Sequence, residues 1–395
     1  MPNKKFLFII GSVGVYLLVT GISFAAFTFA FKGGSSLTSP LSSSNTNQAE
    51  NNNRKALTDV TGAKTAVCPL NGAKYSAAEQ KLWESRRPLA VMIENHLEAR
   101  PQSGLSDADI VYEGIAEGGI TRFEAIFYCQ AAAYESIIGP VRSARTYFVD
   151  WASEYNLPLY AHVGGANTSG PADALGQLES YGWAGANDLN QFSIGYPTFW
   201  RDYERLGHTV ATEHTMYSTT TKLWEIGVKR GFTNLDPDKV EWSKGFTPWK
   251  FAKDDSAQDK RSDSQTVSYP FWEDENYAVS WQYDKTSNLY KRFNGGQEHK
   301  DLNINEQLTT KNLLVQFSVE KNANDGYPGN VHLLYTTIGQ GKALIFKDGQ
   351  AIAGTWAKAK RTSRTVFYDD KAKEIVFNPG KIWISVLPVG TKVAY

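Results

Sequence analysis

Cysteine and net charge are both scarce in this chain, and each scarcity excludes a class of function. Only two of the 395 residues are cysteines, and 41 basic side chains balance 41 acidic ones. Because the net charge is zero, no general electrostatic field attracts nucleic acid, and we expect no nucleic-acid partner. The two cysteines, Cys68 and Cys129, lie too far apart for a metal-binding motif.

Recognisable catalytic motifs are missing as well. The sequence contains no P-loop, no nucleophile elbow and no H-E-x-x-H pattern. His208 and His214 lie six residues apart, but no further ligand pattern accompanies them. We therefore predict neither a metal nor a cofactor.

The N-terminal region carries a long uncharged run. Residues 6–31 contain no charged side chain, which is enough for a helix to cross a bilayer. A cleaved signal peptide is the alternative, but its apolar core is usually only about 7 to 15 residues long and ends at a small-x-small site. No A-x-A precedes Lys32, and no cysteine follows closely enough to carry a lipid. We expect a single-pass membrane anchor, with Lys4 and Lys5 in the cytoplasm and the globular part extracytoplasmic.

Composition divides the rest of the chain. A stretch rich in Ser, Thr, Asn and Gly follows the apolar run, and it has too little to bury to offset its ordering entropy. A polar segment with many charges interrupts the chain again near residue 255. The predicted organisation is a membrane anchor at 1–32, a disordered tether at 33–66, an α/β domain at 67–250, a linker at 251–265 and an all-β domain at 266–395.

The first of these domains alternates strand-length apolar runs with helical patterns. Strands are predicted at 89–94, 110–115, 121–128, 136–138 and 159–163, and helices at 145–155, 171–180 and 219–230. Helices between strands imply parallel pairing, so we predict a mixed or partly parallel sheet. The second domain shows alternating runs with turn signals at residues 284–287 and at Asp348-Gly349, which predicts a mainly-β sandwich or barrel-like module.

The two cysteines leave two interpretations open. Outside the cytoplasm, Cys68 and Cys129 favour a disulfide, which would stabilise a loop of this length by about 4 kcal/mol. The alternative is a pair of unbonded thiols, one of them buried in a strand.

Polar residues cluster where the predicted strands end. A Gly-Pro-Val-Arg-Ser-Ala-Arg turn runs from a strand into a helix, and free backbone N–H groups beside arginines suit an anion. Open α/β sheets bind ligands at the carboxyl ends of their strands, so the turns predict one shared site. The candidate ligand-binding residues are Asn95, His96, Arg122, Arg142, Ser143, Arg145, Gly164, Gly165 and Arg201, and the candidate catalytic residues are Glu117, His162 and His214.

Three details qualify this site. Ser143, just before a predicted helix, is expected to cap the helix rather than to act as a nucleophile. His162 alone is more typical of a hydrogen-bonded core residue than of a ligand. Residues 189–217 have several aromatics and little periodicity, which is typical of a wall or lid of a binding site, although Arg201 and Asp202 there are equally consistent with an ion pair that fixes the loop.

Long motifs resemble a known family. IENHLEARPQSGLSDADIVYEGIAEGGITRFEAIF, GPVRSART and AHVGG in the first domain, and KRFNGGQEHKDLNINEQLTTKNLLVQF and GKALIFKDGQAIAGTWAKAKRTSRTVF in the second, resemble the YerB-like family of bacterial envelope proteins, a two-part domain of unknown function (DUF3048 N- and C-terminal domains). The resemblance spans residues 68–395 and implies an extracytoplasmic, membrane-attached protein, with no established reaction. Many relatives attach through a lipidated cysteine, whereas this chain is predicted to use a helix. His214 matches a family histidine, but Glu213 and Thr215 replace the Pro and Asn that flank it in relatives.

Three functions remain open for the arginine-rich turns. The first is binding of an anionic envelope component, whether glycan, peptide or phosphate-bearing. The second is a cell-envelope hydrolase or transferase that uses Glu117 and His162 with the arginines. The third is a structural or interaction scaffold at the cell surface, in which the arginines are ion-pair partners of Asp109, Glu113 and Glu117.

Overall fold

The described part of the chain is its larger, C-terminal part. The structure is a computed structural model and describes residues 55–395. The predicted membrane anchor and residues 33–54 of the predicted tether lie outside these residues. Between residues 55 and 395, no helix is both long enough and apolar enough to cross a membrane. Residues 55–395 lie within one compact unit.

Strands outnumber helices throughout this unit. The helices are α1 (Ala77–Trp83), α2 (Thr146–Ala152), α3 (Ala174–Ser180), α4 (Gln191–Ile194) and α5 (Thr220–Lys229). The strands up to residue 251 are β1 (Lys55–Ala56), β2 (Ala66–Val67), β3 (Lys74–Tyr75), β4 (Leu89–Glu94), β5 (Ile110–Glu117), β6 (Ile120–Phe127), β7 (Tyr134–Glu135), β8 (Ile137–Ile138), β9 (Leu159–His162), β10 (Asp188–Asn190), β11 (Trp200–Arg201), β12 (Met216–Thr219) and β13 (Lys250–Phe251). The later strands are β14 (Thr266–Tyr269), β15 (Val279–Asp284), β16 (Leu289–Asn294), β17 (Gln297–Glu298), β18 (Lys300–Asp301), β19 (Glu306–Gln307), β20 (Thr309–Thr310), β21 (Asn312–Ser318), β22 (Glu320–Asn322), β23 (Leu333–Tyr335), β24 (Gly339–Lys347), β25 (Gln350–Lys358), β26 (Val366–Asp369), β27 (Val376–Phe377) and β28 (Ile382–Pro388).

A ten-stranded mixed sheet organises the fold, with strand order β10-β9-β4-β6-β5-β28-β21-β24-β25-β26. Strands β10, β9 and β4 pair in parallel, as do β5, β28 and β21, while the other neighbours are antiparallel. The prediction of a mixed sheet with helices, followed by a strand-rich C-terminal region, is confirmed. The sheet contains strands from both predicted domains, because β28 lies between β5 and β21.

Local sequence accounts for the central strands and for the hairpins. All six residues of β4 are buried, as expected for an apolar strand covered on both faces. The hairpin between β24 and β25 turns at Asp348 and Gly349, where φ is +57° and +69°. Two successive residues with positive φ are what a type I′ turn requires, and Asp-Gly is a favoured pair for it.

Helices cover the sheet through apolar stripes. On α2, the Trp151 ring stacks on Tyr112 of β5, with ring centroids 5.6 Å apart. On α5, Gly227 lies so close to β9 that an added Cβ would meet Leu159 Cδ1 at 2.6 Å. The Thr219 side chain accepts from the Lys222 N–H and so caps α5.

Two features near the start of the described chain bear on the predictions. Lys55 and Ala56, near the end of the predicted tether, pair with Glu135 and Tyr134 in a short antiparallel ladder. Cys68 and Cys129 form a disulfide whose Cα atoms lie 6.0 Å apart. Both cysteines are buried, and the bridge joins the N-terminal arm to the chain just after β6.

Candidate functional site

The Gly-Pro-Val-Arg-Ser-Ala-Arg segment lies between the carboxyl ends of two parallel strands. Strands β4 and β9 pair only as far as Val91 and Ala161. Beyond that point the Arg142 N–H donates to the Met92 carbonyl at 2.9 Å, and the Val163 N–H donates to the Arg142 carbonyl at 3.0 Å. The segment therefore replaces the missing strand pairing, and backbone hydrogen bonds on both sides fix its position.

A pocket opens beside this segment, and we call it the Arg142 pocket. Its volume is about 550 Å³, which lies within the range of small-molecule sites. The lining residues are Arg142, Ser143, Val163, Gly164, Gly165, Asn167, Leu175, Asn190, Phe192, Arg201, Glu213 and Met216. Five predicted ligand-binding residues thus meet in one place: Arg142, Ser143, Gly164, Gly165 and Arg201.

The two pocket arginines, Arg142 and Arg201, come from different parts of the chain. Each uses only some of its guanidinium N–H groups in contacts with the protein. The Arg142 Nε forms an ion pair with Glu94, and 26% of its side chain is exposed. Arg201 donates to the Thr212 carbonyl and, at 3.2 Å, to the Thr215 hydroxyl. It makes no ion pair with Asp202 or any other described residue. Both guanidinium groups therefore keep N–H donors for a ligand.

Arg122 and Arg145 are placed differently, and we call them the inner arginine pair. Arg122 donates to the Ser143 carbonyl at 2.9 Å and contacts Glu117 at 3.2 Å. Arg145 forms an ion pair with the other oxygen of Glu117, and burial lowers the pKa of its guanidinium. Both side chains are at least nine-tenths buried. The inner arginine pair does not line the Arg142 pocket and is instead a partner of a neighbouring carboxylate.

Glu94, at the end of β4, connects the two sets of arginines. It lies opposite Arg122 across the β4–β6 ladder, pairs with Arg142, and lies 3.6 Å from His214 Nδ1. Burial alone would raise the pKa of Glu94, but the neighbouring His214 and the charges of Arg122 and Arg142 outweigh it and lower the pKa to about 2. The carboxylate therefore stays ionised beside the pocket.

Glu124, two residues beyond Arg122 on β6, has the opposite environment. It is fully buried, and neither carboxyl oxygen has a hydrogen-bond partner among the described residues. Burial, together with the charge of Glu154, raises its pKa well above the ordinary value. Burial therefore favours the uncharged form of this carboxyl, which lies in the core rather than in the pocket.

The predicted catalytic pair is not available for proton transfer. His162 is fully buried, with Nδ1 2.6 Å from the Gly164 carbonyl and Nε2 2.6 Å from the Asp188 carboxylate. Both ring nitrogens face acceptors, so neither can exchange a proton with a ligand. Glu117 is held by the inner arginine pair, and each of its two carboxylate oxygens faces one of these guanidinium groups.

Asn95 and His96 also lie outside the Arg142 pocket. Asn95 is fully buried, donates to the Thr121 hydroxyl at 2.6 Å, and accepts from Arg100, Gln102 and Asn294. It therefore joins the two predicted domains through Asn294. The His96 ring stacks on His214, with centroids 4.6 Å apart and planes 8° from parallel.

Apart from the group that contains the disulfide-bonded Cys68 and Cys129, the potential metal ligands that cluster among the described residues are His96, Glu98 and His214. Their ligand atoms lie within 4.8 Å of one another. A histidine binds a metal through a lone pair in its ring plane, and two nearly parallel stacked planes do not meet at one point. Holding an ion would require at least one ring to rotate out of the stack.

Ser143 and the helix after it differ from the prediction. Helix α2 begins at Thr146, its N-cap residue is Arg145, and no side chain caps it. The expectation that Ser143 caps the helix is therefore wrong, because the chain turns through Ala144 and Arg145 before the first helical residue. Ser143 lines the pocket instead.

The scaffold hypothesis assigned arginine partners to three acidic residues, and the structure differs for two of them. Glu113 pairs with Arg292 at 2.8 Å, both fully buried. Asp109 accepts from the backbone N–H groups of Tyr128, Cys129 and Gln130. Burial nevertheless raises its pKa to about 7. Only Glu117 has its partner among the arginines of the predicted site.

Seven pocket residues were not predicted from the sequence: Val163, Asn167, Leu175, Asn190, Phe192, Glu213 and Met216. Four of them belong to the segment at 189–217, which is expected from the sequence to form a wall or lid. The residue in the sequence that could have indicated this part of the pocket is Asn190. Its side chain accepts from the Gly164 N–H at 3.1 Å and from the Phe192 N–H at 3.2 Å. One amide thus ties the segment to the Gly164-Gly165 turn.

Fold and site together define an α/β protein whose pocket lies at the carboxyl ends of parallel strands, with a strand-rich C-terminal region completing the sheet. Residues 75–233 match the family described as protein of unknown function (DUF3048) N-terminal domain, and residues 267–384 match the corresponding C-terminal domain. The chain belongs to this family.

One relative gives both a sequence and a structural comparison. The chain is 32% identical over 327 residues to the protein described as "Putative lipoprotein YerB" of Bacillus subtilis (strain 168), covering 82% of this chain and 87% of the relative. The crystal structure of YerB from Bacillus subtilis matches with a TM-score of 0.65 and 28% identity, covering 84% of this chain and all of that chain.

Proposed function

We propose that this protein is a membrane-anchored, extracytoplasmic binding protein that holds an anionic cell-envelope ligand in the Arg142 pocket. The observation that carries the proposal is the meeting of Arg142 and Arg201 in one pocket of about 550 Å³. Guanidinium groups suit carboxylates and phosphates, because their N–H donors match the spacing of two anionic oxygens.

Membrane attachment is supported by two observations. The uncharged run at residues 6–31 is long enough to span a bilayer. The Bacillus subtilis relative is described as a lipoprotein. A helix that stays in the membrane would give this chain the same attachment without a lipid.

Binding is favoured over catalysis by the state of the predicted catalytic groups. Both carboxylate oxygens of Glu117 form ion pairs with the inner arginine pair. Both ring nitrogens of His162 lie within hydrogen-bond distance of protein acceptors. An envelope hydrolase or transferase would need a different base. The pocket itself offers only Glu213 as a carboxylate.

The proposal is tested with the full-length protein in a neutral detergent, titrated calorimetrically with soluble peptidoglycan fragments and with a glycerol-phosphate polymer. We expect one of the two to bind, and we expect Arg142→Gln with Arg201→Gln to weaken that binding at least tenfold. Arg361→Gln is the matched control, because Arg361 contacts Ser153 and Tyr181 and lies outside the pocket. Binding that survives the double substitution, or failure of both polymers to bind, would overturn the proposal.

A further inference from the structure

We propose that the Arg142 pocket takes an acidic sugar, that is, a pyranose ring that carries a carboxylate. This inference rests on the proposed function and narrows its ligand class from anions in general to acidic glycans. Three features of the pocket carry it: an exposed aromatic ring at its rim, a mixture of donors and acceptors in its lining, and two arginines.

The aromatic ring is that of Phe192, which is 76% exposed although it lines the pocket. Its position is fixed from one side by Gly164, where an added Cβ would meet Phe192 Cε2 at 2.9 Å and where φ is +57°. Glycine is needed there both for the backbone conformation and for the close approach of the ring. The result is an apolar surface left open to solvent beside a polar pocket.

A pyranose is the small ligand whose surface matches that arrangement. Its C–H groups form an apolar face, while its hydroxyls lie around the edge. Burying the apolar face against Phe192 removes apolar surface of both partners from water. A bare phosphate or a short carboxylate has no such face and would leave the Phe192 ring exposed.

The polar lining also suits hydroxyl groups better than a simple anion. Asn190 uses its carbonyl oxygen for the Gly164 and Phe192 N–H groups, which leaves its two amide N–H donors for a ligand. Glu213 lines the same pocket and makes no ion pair with a described residue. A free carboxylate repels an inorganic anion, but it accepts from a sugar hydroxyl.

The arginines then account for the acidic group. Arg142 is fixed on one side by Glu94, and Arg201 by the Thr212 carbonyl. Their remaining N–H groups lie in the same pocket as Asn190 and Glu213. One carboxylate on the sugar would satisfy the arginines, while its hydroxyls would satisfy Asn190 and Glu213.

The test uses a sugar acid together with its two component parts. N-acetylmuramic acid is N-acetylglucosamine joined to D-lactate through an ether, so the three compounds separate the contributions of the ring and of the carboxylate. Each is titrated into the full-length protein in a neutral detergent, with inorganic phosphate as a fourth probe. We expect N-acetylmuramic acid to bind at least tenfold more tightly than any of the other three.

Single substitutions test whether N-acetylmuramic acid binds in the Arg142 pocket. Phe192→Ser is expected to weaken binding of N-acetylmuramic acid about tenfold. Tyr196→Ser, at a residue that is also 76% exposed but outside the pocket lining, is expected to leave it unchanged. Glu213→Gln is expected to strengthen phosphate binding, because it removes a repulsive charge.

The failure of this inference is distinguishable from failure of the proposed function. Suppose that lactate or phosphate binds as tightly as N-acetylmuramic acid and that Phe192→Ser does not change the binding of N-acetylmuramic acid. The pocket is then a site for anions in general, and the inference of an acidic sugar is overturned. If the peptidoglycan and glycerol-phosphate polymers fail to bind as well, both proposals are overturned. Equal losses in Phe192→Ser and Tyr196→Ser would also overturn the assignment to the pocket.

Discussion

Arg122 and Arg145 differ from Arg142 and Arg201 in what surrounds them, although all four belong to the same predicted site. The inner arginine pair is at least nine-tenths buried and holds Glu117 from two sides. The pocket arginines are partly exposed and are held mainly through one side of each guanidinium. Arg142 and Arg145 are only three residues apart, so neighbouring positions of one loop separate a structural role from a binding role.

This difference teaches that an arginine-rich turn is not a uniform anion site. The inner arginine pair positions the loop, because Arg122 donates to the Ser143 carbonyl. The pocket arginines then present their free donors from that fixed loop. The following substitutions would break or sharpen this comparison.

The largest effect is expected from removing an inner arginine. Arg122→Met should lower the free energy of unfolding by about 4 kcal/mol, because it leaves the mostly buried Glu117 and the buried Glu94 with one fewer positive partner. Arg201→Met should change it by less than about 0.5 kcal/mol. Denaturant unfolding of the full-length protein, followed by tryptophan fluorescence, measures both. Similar losses in the two variants would show that the distinction between inner and pocket arginines is false.

Glu94 should make the fold sensitive to acid. Its folded-state pKa of about 2 lies below the ordinary 4.5, so its contribution to stability is present above pH 4.5 and is lost as the pH falls toward 2. The shift corresponds to about 3 kcal/mol. In Glu94→Gln, unfolding measured at several pH values should lose this dependence between pH 4.5 and 2. An unchanged pH profile would contradict the role of Glu94 as the link between the arginines.

Glu117 should behave as a structural residue. Glu117→Gln removes the charge shared by the inner arginine pair and should cost about 2 kcal/mol of stability, less than a fully buried pair because the Glu117 side chain is 25% exposed. Glu213→Gln is the matched substitution in the pocket and should be neutral. Thermal unfolding provides the measurement. A Glu117→Gln variant that keeps full stability would restore Glu117 as a catalytic candidate.

Glu124 should have the opposite pH dependence from Glu94. Because its folded-state pKa is raised, its contribution to stability is present below about pH 4.5 and is lost as the pH rises through the folded-state pKa. Glu124→Gln should therefore gain about 1 kcal/mol relative to the native chain at pH 8, and less at pH 5. Stability measured at these two pH values tests the sign, and a larger gain at pH 5 would refute it.

The smallest effect is expected at Ser143. A helix-capping serine loses about 1 kcal/mol when it is replaced by alanine, but Ser143 does not cap α2. Ser143→Ala should therefore change the free energy of unfolding by less than about 0.3 kcal/mol. A loss near 1 kcal/mol would mean that the side chain caps the helix after all.

Local patterns predicted the parts of this fold that depend on near neighbours. Strand β4 is found at its predicted bounds because its six apolar or buried positions need no distant information. The β24–β25 hairpin was marked by Asp348 and Gly349, which adopt the backbone angles that the turn requires. Local sequence also predicted the polar turns at strand ends, and two of these turns do form the Arg142 pocket.

Features that depend on distant contacts could not be predicted in the same way. Nothing near Glu113 indicates that its partner is Arg292, which lies 179 residues away. The separation of Arg122 from Arg142 depends on the register of β4 against β6, which brings Arg122 opposite Glu94. Phe192 and Glu213 come from a segment without periodicity, so only the folded structure shows that they line the same pocket.

The position of β28 has a consequence for how the protein must be made. This strand, Ile382–Pro388, separates β5 from β21 and pairs in parallel with both. Synthesis proceeds from the N-terminus, so β5 waits for this neighbour until residues 382–388 have been made. A chain that stalls or is cut before residue 382 would expose two unpaired strand edges at the centre of the sheet, which are templates for aggregation. The central sheet is therefore expected to form only in chains that contain residues 382–388, with shorter chains left to folding helpers and proteases.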